Sequence, residues 1–138
     1  MEDNQFELID VEQLLKDGES ITLEFKESSG SISKDIWETY SAFANTYGGK
    51  ILLGIHENTK EEMKKTKTKY TIVGMKNIQK RLKEFWDAMN GDKVSTNILM
   101  DRDVMAVKAD DKDVLLIRVP VADYKKRPVY RQPNERDF

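Results

Sequence analysis

The chain has no cysteine, which excludes disulfides and thiolate metal sites. Its single histidine, His56, excludes a multi-histidine centre within one chain. No apolar run approaches the ~20 residues of a membrane span. The opening MEDNQFELID is acidic and polar, unlike a secretory signal. A strongly basic balance is missing too: the formal charge is −2 over 138 residues, so the simplest electrostatic mark of a nucleic-acid binder is not there. No glycine-rich loop follows a strand and opens a helix, so no phosphate cradle and no nucleotide cofactor are expected. Nothing pairs His56 with a serine for nucleophilic catalysis. By default these absences imply a cytoplasmic setting and no membrane partner.

What is present fits one domain over residues 1–138 with a real core and a heavily charged surface. Hydrophobic residues make up 38% and charged residues 35%. The charge is uneven. Acids crowd the first thirty residues (Glu2, Asp3, Glu7, Asp10, Glu12, Asp17, Glu19, Glu24, Glu27), while 60–69 and 125–131 are basic. Segregation of this kind can hold an anionic partner despite an unfavourable total; it is equally a property of ordinary lysine-rich loops.

The organising stretch is WETYSAFANTYGGKILLGIH. Ile36, Tyr40, Phe43 and Tyr47 recur at helical spacing, widened by Trp37 and Ala44, with Ser33 as the expected N-cap. Gly48 supplies a left-handed stop, and 51–55 reads as one short strand covered on both faces. Upstream, VEQLLK reads as a short helix, and in ITLEFKES the alternation of Ile21, Leu23 and Phe25 marks a half-buried strand.

Downstream, ENTKEEMKKTKTKY has no apolar period and reads as a long mobile hairpin tip. YTIV returns as a strand, and Asn77 caps a second helix with Ile78, Leu82, Phe85, Trp86 and Met89 on one face. Strands over 94–99, 104–108 and 114–119 follow, the last two joined by a hairpin turn at ADDKD. The expected order is α-β-α-β-β-α-β-β-β. It describes an α+β fold with a mixed, mostly antiparallel sheet and two main helices packed against it. The segment 121–138 is expected as an extended basic tail that either leads into further chain or packs only with a partner.

Three constellations carry chemistry. Glu19 and Glu24 flank the first strand and Glu57 follows the central one; should they converge, they would form a hard oxygen site for Mg or Mn. The plain alternative is a turn residue and the polar face of a strand, with no metal expected. Lys60, Lys64, Lys65, Lys67 and Lys69 form a second group able to touch phosphates. The third is the tail, where Lys125, Lys126, Arg127 and Arg131 combine charge with the rings of Tyr124 and Tyr130. A solvated surface fits either basic segment equally well.

LEFKES, AFANTYGGKILLGI, the later Gly-Met-Lys-Asn helix start and RVPVADYKKRPVY together resemble the Schlafen AlbA-like domain, from about Glu19 to Tyr130. The resemblance implies an α+β domain that binds nucleic acid, DNA above all, and that stands at the N-terminus of bacterial and archaeal transcriptional regulators. It adds Lys26, within the E-F-K-E motif, to the nucleic-acid-binding set. Some vertebrate Schlafens cleave RNA with three acids, two of them spaced E-x(4)-E-F-K, and Glu19, Glu24, Phe25 and Lys26 reproduce that spacing. The third is commonly Asp directly after the G-[VI] strand; here His56 stands there, with Glu57 next to it. Three readings follow: a DNA-binding module without cofactor, a Mg- or Mn-dependent ribonuclease using Glu19, Glu24 and Glu57, and a protein-interaction module forming a homodimer.

Overall fold

A computed structural model describes residues 10–28, 30–91 and 93–131. The acids at Glu2, Asp3 and Glu7, the end of the tail at 132–138, and the side chain of Tyr124 lie outside the described residues. In chain order the elements are α1 (Val11–Asp17), β1 (Leu23–Lys26), α2 (Ile36–Ala44), β2 (Gly49–Leu53), β3 (Ile55–Glu57), α3 (Lys60–Thr66), β4 (Tyr70–Ile72), α4 (Ile78–Met89), β5 (Val104–Ala109) and β6 (Lys112–Val119). Short 3-10 turns occupy Asp101–Asp103 and Tyr124–Lys126.

The fold is α+β, with a four-stranded sheet in the order β1-β2-β6-β5. β1 runs parallel to β2, and the other neighbours are antiparallel. β3 and β4 form a separate antiparallel hairpin. Side chains alternate across a strand, so the apolar runs of β2 and β6 serve two cores. Ile51, Leu53, Leu115 and Ile117 pack with α2 and α4. Leu52, Val114 and Leu116 join Leu23 and Phe25 of β1 in packing with α1 and the β3–β4 hairpin. Between α2 and α4, Trp37 stacks on Phe85 with ring centroids 5.7 Å apart. Each fully buried side chain of this size contributes roughly 1.5–3 kcal/mol.

Several expected boundaries are corrected. The run 51–55 is not one strand. Gly54 takes φ +100° and its carbonyl accepts from Val73 and Gly74 at 2.9 Å, which turns the chain out of the large sheet and makes Ile55 the start of the hairpin. Tyr47 does not extend the α2 stripe, because α2 stops at Ala44; Tyr47 is 73% exposed. Gly48 does take the left-handed conformation, at φ +73°, where a Cβ would sit 2.7 Å from the Val119 carbonyl oxygen.

Ser33 is not the N-cap of α2. Asp35 holds that position, and the Ser33 hydroxyl is spent on the Asp35 carboxylate. Asn77 does flank α4, in the left-handed region at φ +52° and without a side-chain bond to the helix. Ile21 lies ahead of β1 and is exposed, so the alternation there begins only at Leu23.

The expected hairpin tip holds α3. No residue of α3 is buried, so no apolar period marks it; Thr59 and Glu62 start it as a reciprocal capping box. Residues 94–99 do not form a strand. Val94 makes a single bridge to Arg131, and the segment is held by Tyr40, whose hydroxyl donates to the Thr96 carbonyl (2.7 Å) and accepts from the Ile98 N–H (3.0 Å). ADDKD is a tight hairpin turn with Asp110 and Asp111 both at positive φ, the geometry that suits the twist of antiparallel strands.

The tail packs on this chain as far as Arg131, not only on a partner. The Ala122 N–H donates to the Ala44 carbonyl at 2.8 Å. Val129 is fully buried; its N–H donates to Asn45 Oδ1 (2.7 Å), and Asn45 Nδ2 donates back to its carbonyl.

Candidate functional site

Of the three acids, two come together. Glu19 sits just before β1, where its Oε2 accepts the Phe25 N–H at 2.9 Å. Because Leu23 and Phe25 face the α1 core, Glu24 and Lys26 point to the opposite face of the sheet. Burial holds the Glu24 carboxyl above its ordinary value, reinforced by the hydrogen bond its protonated form donates to the Glu19 carboxylate and by the charge of Glu19. Glu57 lies on β3, beyond the Gly54 break and in the other sheet, and is exposed. Among the described residues no three histidine, aspartate or glutamate side chains are grouped to hold a metal ion.

The Glu19–Glu24 pair therefore does not fit a Mg or Mn centre. One glutamate oxygen already serves a backbone N–H, no third acid is grouped with the pair among the described residues, and a cation stands beside it. That cation is Lys26. Its side chain is 10% exposed and its ammonium lies 3.0 Å from Asp35 Oδ2. The Ser33 hydroxyl, then Lys26, hold the Asp35 carboxyl below its usual range. Lys26 thus answers to Asp35 and stands apart from the exposed cations.

His56 occupies the position where the resemblance leads one to expect an acid, and it is itself clamped by two. Nδ1 lies 2.6 Å from Glu27 Oε1 and Nε2 lies 2.9 Å from Glu62 Oε1. The bonds to Glu62 and then Glu27 raise the imidazole pKa. Glu62 in turn is lowered to about 2, first by the Thr59 N–H and then by His56. The effect is mechanical as well as electrostatic: α3 has no buried face, and His56 ties its first turn to the strand behind it and to the end of β1.

This fastening decides which way the lysines point. At about 100° per residue, Lys60 and Lys64 share one stripe of α3, while Glu62 lies on the opposite side toward His56; Lys67 follows the helix as its left-handed C-cap. All five lysines of 60–69 are exposed. Lys64 pairs with Glu61 at 3.0 Å, and Lys69 lies 5.5 Å from the Tyr70 ring centroid. In the tail, Lys125 and Lys126 stand on a 3-10 turn, Arg127 follows, and all three are exposed; Arg131 bridges to Val94.

The two basic segments are not brought together. α3 joins the two strands of the β3–β4 hairpin beyond the Leu53 end of β2, whereas the tail leaves β6 at Val119, paired with Gly49 at the other end. Sequence reading also passed over Lys50, Arg102 and Arg118, which line a pocket of about 690 Å³ beside Tyr47. Only the strand register and the chain reversal before β5 join them, and no local motif announces either.

The sequence profile of the family described as Schlafen, AlbA_2 matches residues 19–137. The chain belongs to the Schlafen AlbA_2 family. No curated protein matches it at the sequence level. Among solved structures, this AlbA_2 chain is similar to the N-terminal domain of an ATP-dependent DNA helicase RecG-related protein from Nitrosomonas europaea, determined by solution NMR. The TM-score is 0.72 at 24% identity, over 92% of this chain and 83% of that one. At that identity the likeness supports the fold alone. No helix among the described residues is long and apolar enough to cross a membrane.

Proposed function

We propose that this AlbA_2 chain is a nucleic-acid-binding module, with DNA as its expected partner, acting within a transcriptional regulator. Its affinity comes from backbone phosphates met by the lysines of α3 and, at a separate point, by Lys125, Lys126 and Arg127 of the tail. The observation that carries the reading is α3 itself. A helix with no buried residue adds nothing to the hydrophobic core, yet this one is capped, pinned by His56, and presents Lys60 and Lys64 outward, with Lys67 exposed at its C-cap. The single Lys64–Glu61 pair is exposed and weak, so a phosphate can replace it.

Family membership supports a nucleic-acid role in general; the choice of DNA and of a regulator is ours. The ribonuclease reading would need Glu57 beside the Glu19–Glu24 pair, and Glu57 stands in the other sheet.

Fluorescence anisotropy with a labelled DNA duplex, read from about 50 to about 200 mM salt, tests the proposal. Binding that weakens steeply with salt is expected. No binding at the low end, or equal retention on a neutral polymer, refutes it.

A further inference from the structure

The end of the sheet opposite α3 carries a second concentration of positive charge, and it has a shape. Lys50 and Arg118 are direct partners on the antiparallel strands β2 and β6. Both project to the face that also holds Leu52 and Leu116, so two cations sit side by side on one surface.

Arg102 enters the same pocket from the turn before β5. Among the described residues, the side chains of Lys50 and Arg102 have no hydrogen-bond or ion-pair partner. The two acids that line the pocket are occupied: Asp103 accepts the Met100 N–H at 2.8 Å and Asp17 accepts from Gln13 Nε2 at 3.0 Å. The exposed cations of the tail, Lys125 and Lys126, follow Val121 by a few residues in sequence.

Tyr47 supplies the other half of the chemistry. It stands on the pocket wall between the end of α2 and Gly48, 73% exposed, with no ring partner among the described residues. A flat ring held open beside cations is a platform for a base. The pocket, about 690 Å³, lies within the roughly 300–1,000 Å³ of sites that take a small ligand or a single residue of a polymer.

We infer that this pocket seats a phosphodiester of single-stranded nucleic acid on Lys50 and Arg102, with the adjoining base stacked on Tyr47. A duplex hides its base faces in its own stack, so the ring selects unpaired nucleotides. The inference rests on the nucleic-acid reading above and deepens it: α3 contacts backbone of any form, and this end grips a free strand.

The test uses the full chain and labelled probes: a thymidine oligonucleotide, a duplex of equal length, and thymidine monophosphate. Tyr47→Ala weakens the single strand about tenfold or more, while Tyr47→Phe restores it, and duplex binding stays within about twofold. Lys50→Gln or Arg102→Gln each lower the single-strand salt slope by about 0.7. Single-strand binding that ignores all of these variants yet falls when Lys60, Lys64 and Lys67 become Gln overturns the pocket and leaves the nucleic-acid reading standing. Equal losses for duplex and single strand, or an oligonucleotide that binds no tighter than the mononucleotide, also overturn it. No binding of any probe by the native chain refutes both proposals at once.

Discussion

Asn45 is the residue through which the body of the domain holds its tail, and Asn45→Ala measures that hold. Its amide closes a two-point clasp on one buried residue: Oδ1 takes the Val129 N–H at 2.7 Å and Nδ2 gives a hydrogen to the Val129 carbonyl. Val129 has no exposed surface, so water cannot replace either bond without the segment moving. A backbone group left buried and unpaired costs about 1–3 kcal/mol. With two such groups and some relaxation of the tail, Asn45→Ala costs about 2–4 kcal/mol. For a chain of this length that is a fall in Tm of about 6–16 °C.

Urea unfolding of both proteins gives the free-energy difference, provided the slope is unchanged. Trypsin cleavage after Lys125 and Lys126 in native conditions reports the local release and accelerates in the variant. Asn45→Asp keeps the acceptor but sets a carboxylate against a carbonyl, and it destabilises as well. A loss under about 0.5 kcal/mol, the range of an indifferent surface change, together with unchanged proteolysis, refutes the clasp.

Tyr40→Phe removes a buried hydroxyl that serves the Thr96 carbonyl and the Ile98 N–H; it lowers stability in urea by about 1–3 kcal/mol, and a neutral result means that the segment finds other partners. The His56 clamp makes stability pH-dependent in a definite direction. Its pKa is raised by Glu62 and Glu27 from 6.5, so its contribution is complete below 6.5 and fades as pH rises through the higher folded value. Glu62, lowered from 4.5 to about 2, contributes above 4.5 and fades as pH falls toward 2. Thermal melts therefore show the bridge strongest between about 4.5 and about 6.5, and His56→Gln flattens the decline above that window; an unchanged decline counts against the clamp. Glu24, raised chiefly by burial and then by Glu19, costs stability when ionised, so Glu24→Gln raises Tm at pH 7 and loses that advantage in acid. A lower Tm at both pH values sinks this account of the pair.

The parts of the fold that were legible in the sequence were those with a core-facing period. Ile36, Tyr40 and Phe43 marked α2, Phe85 and Met89 marked α4, and Gly48 and the Asp110-Asp111 turn marked reversals. What failed had a different cause in each place. α3 buries nothing, so a search for apolar spacing passes over it, although Thr59 and Glu62 carried a capping signature four residues long. The strand expected over 94–99 was apolar because Val94 and Leu99 are buried, yet its backbone bonds go to the Tyr40 hydroxyl and the tail, which only tertiary structure reveals. At the candidate site, the Glu19–Glu24 spacing was visible, and the separation of Glu57 followed from one glycine, Gly54, whose positive φ redirects the chain. Lys50 and Arg118 lie far apart in sequence, and only the pairing of β2 with β6 makes them neighbours.

The proposal turns on whether the lysines of α3 and its C-cap meet phosphates. Lys60, Lys64 and Lys67 are exposed and none supports the core, so changing all three to Gln leaves the fold intact by circular dichroism and urea midpoint. The decisive quantity is the slope of log affinity against log salt for a DNA duplex. The account predicts a slope shallower by about 0.9 for each phosphate no longer neutralised, up to about 2.7 for all three lysines; a variant that binds with the native affinity and the native slope contradicts it.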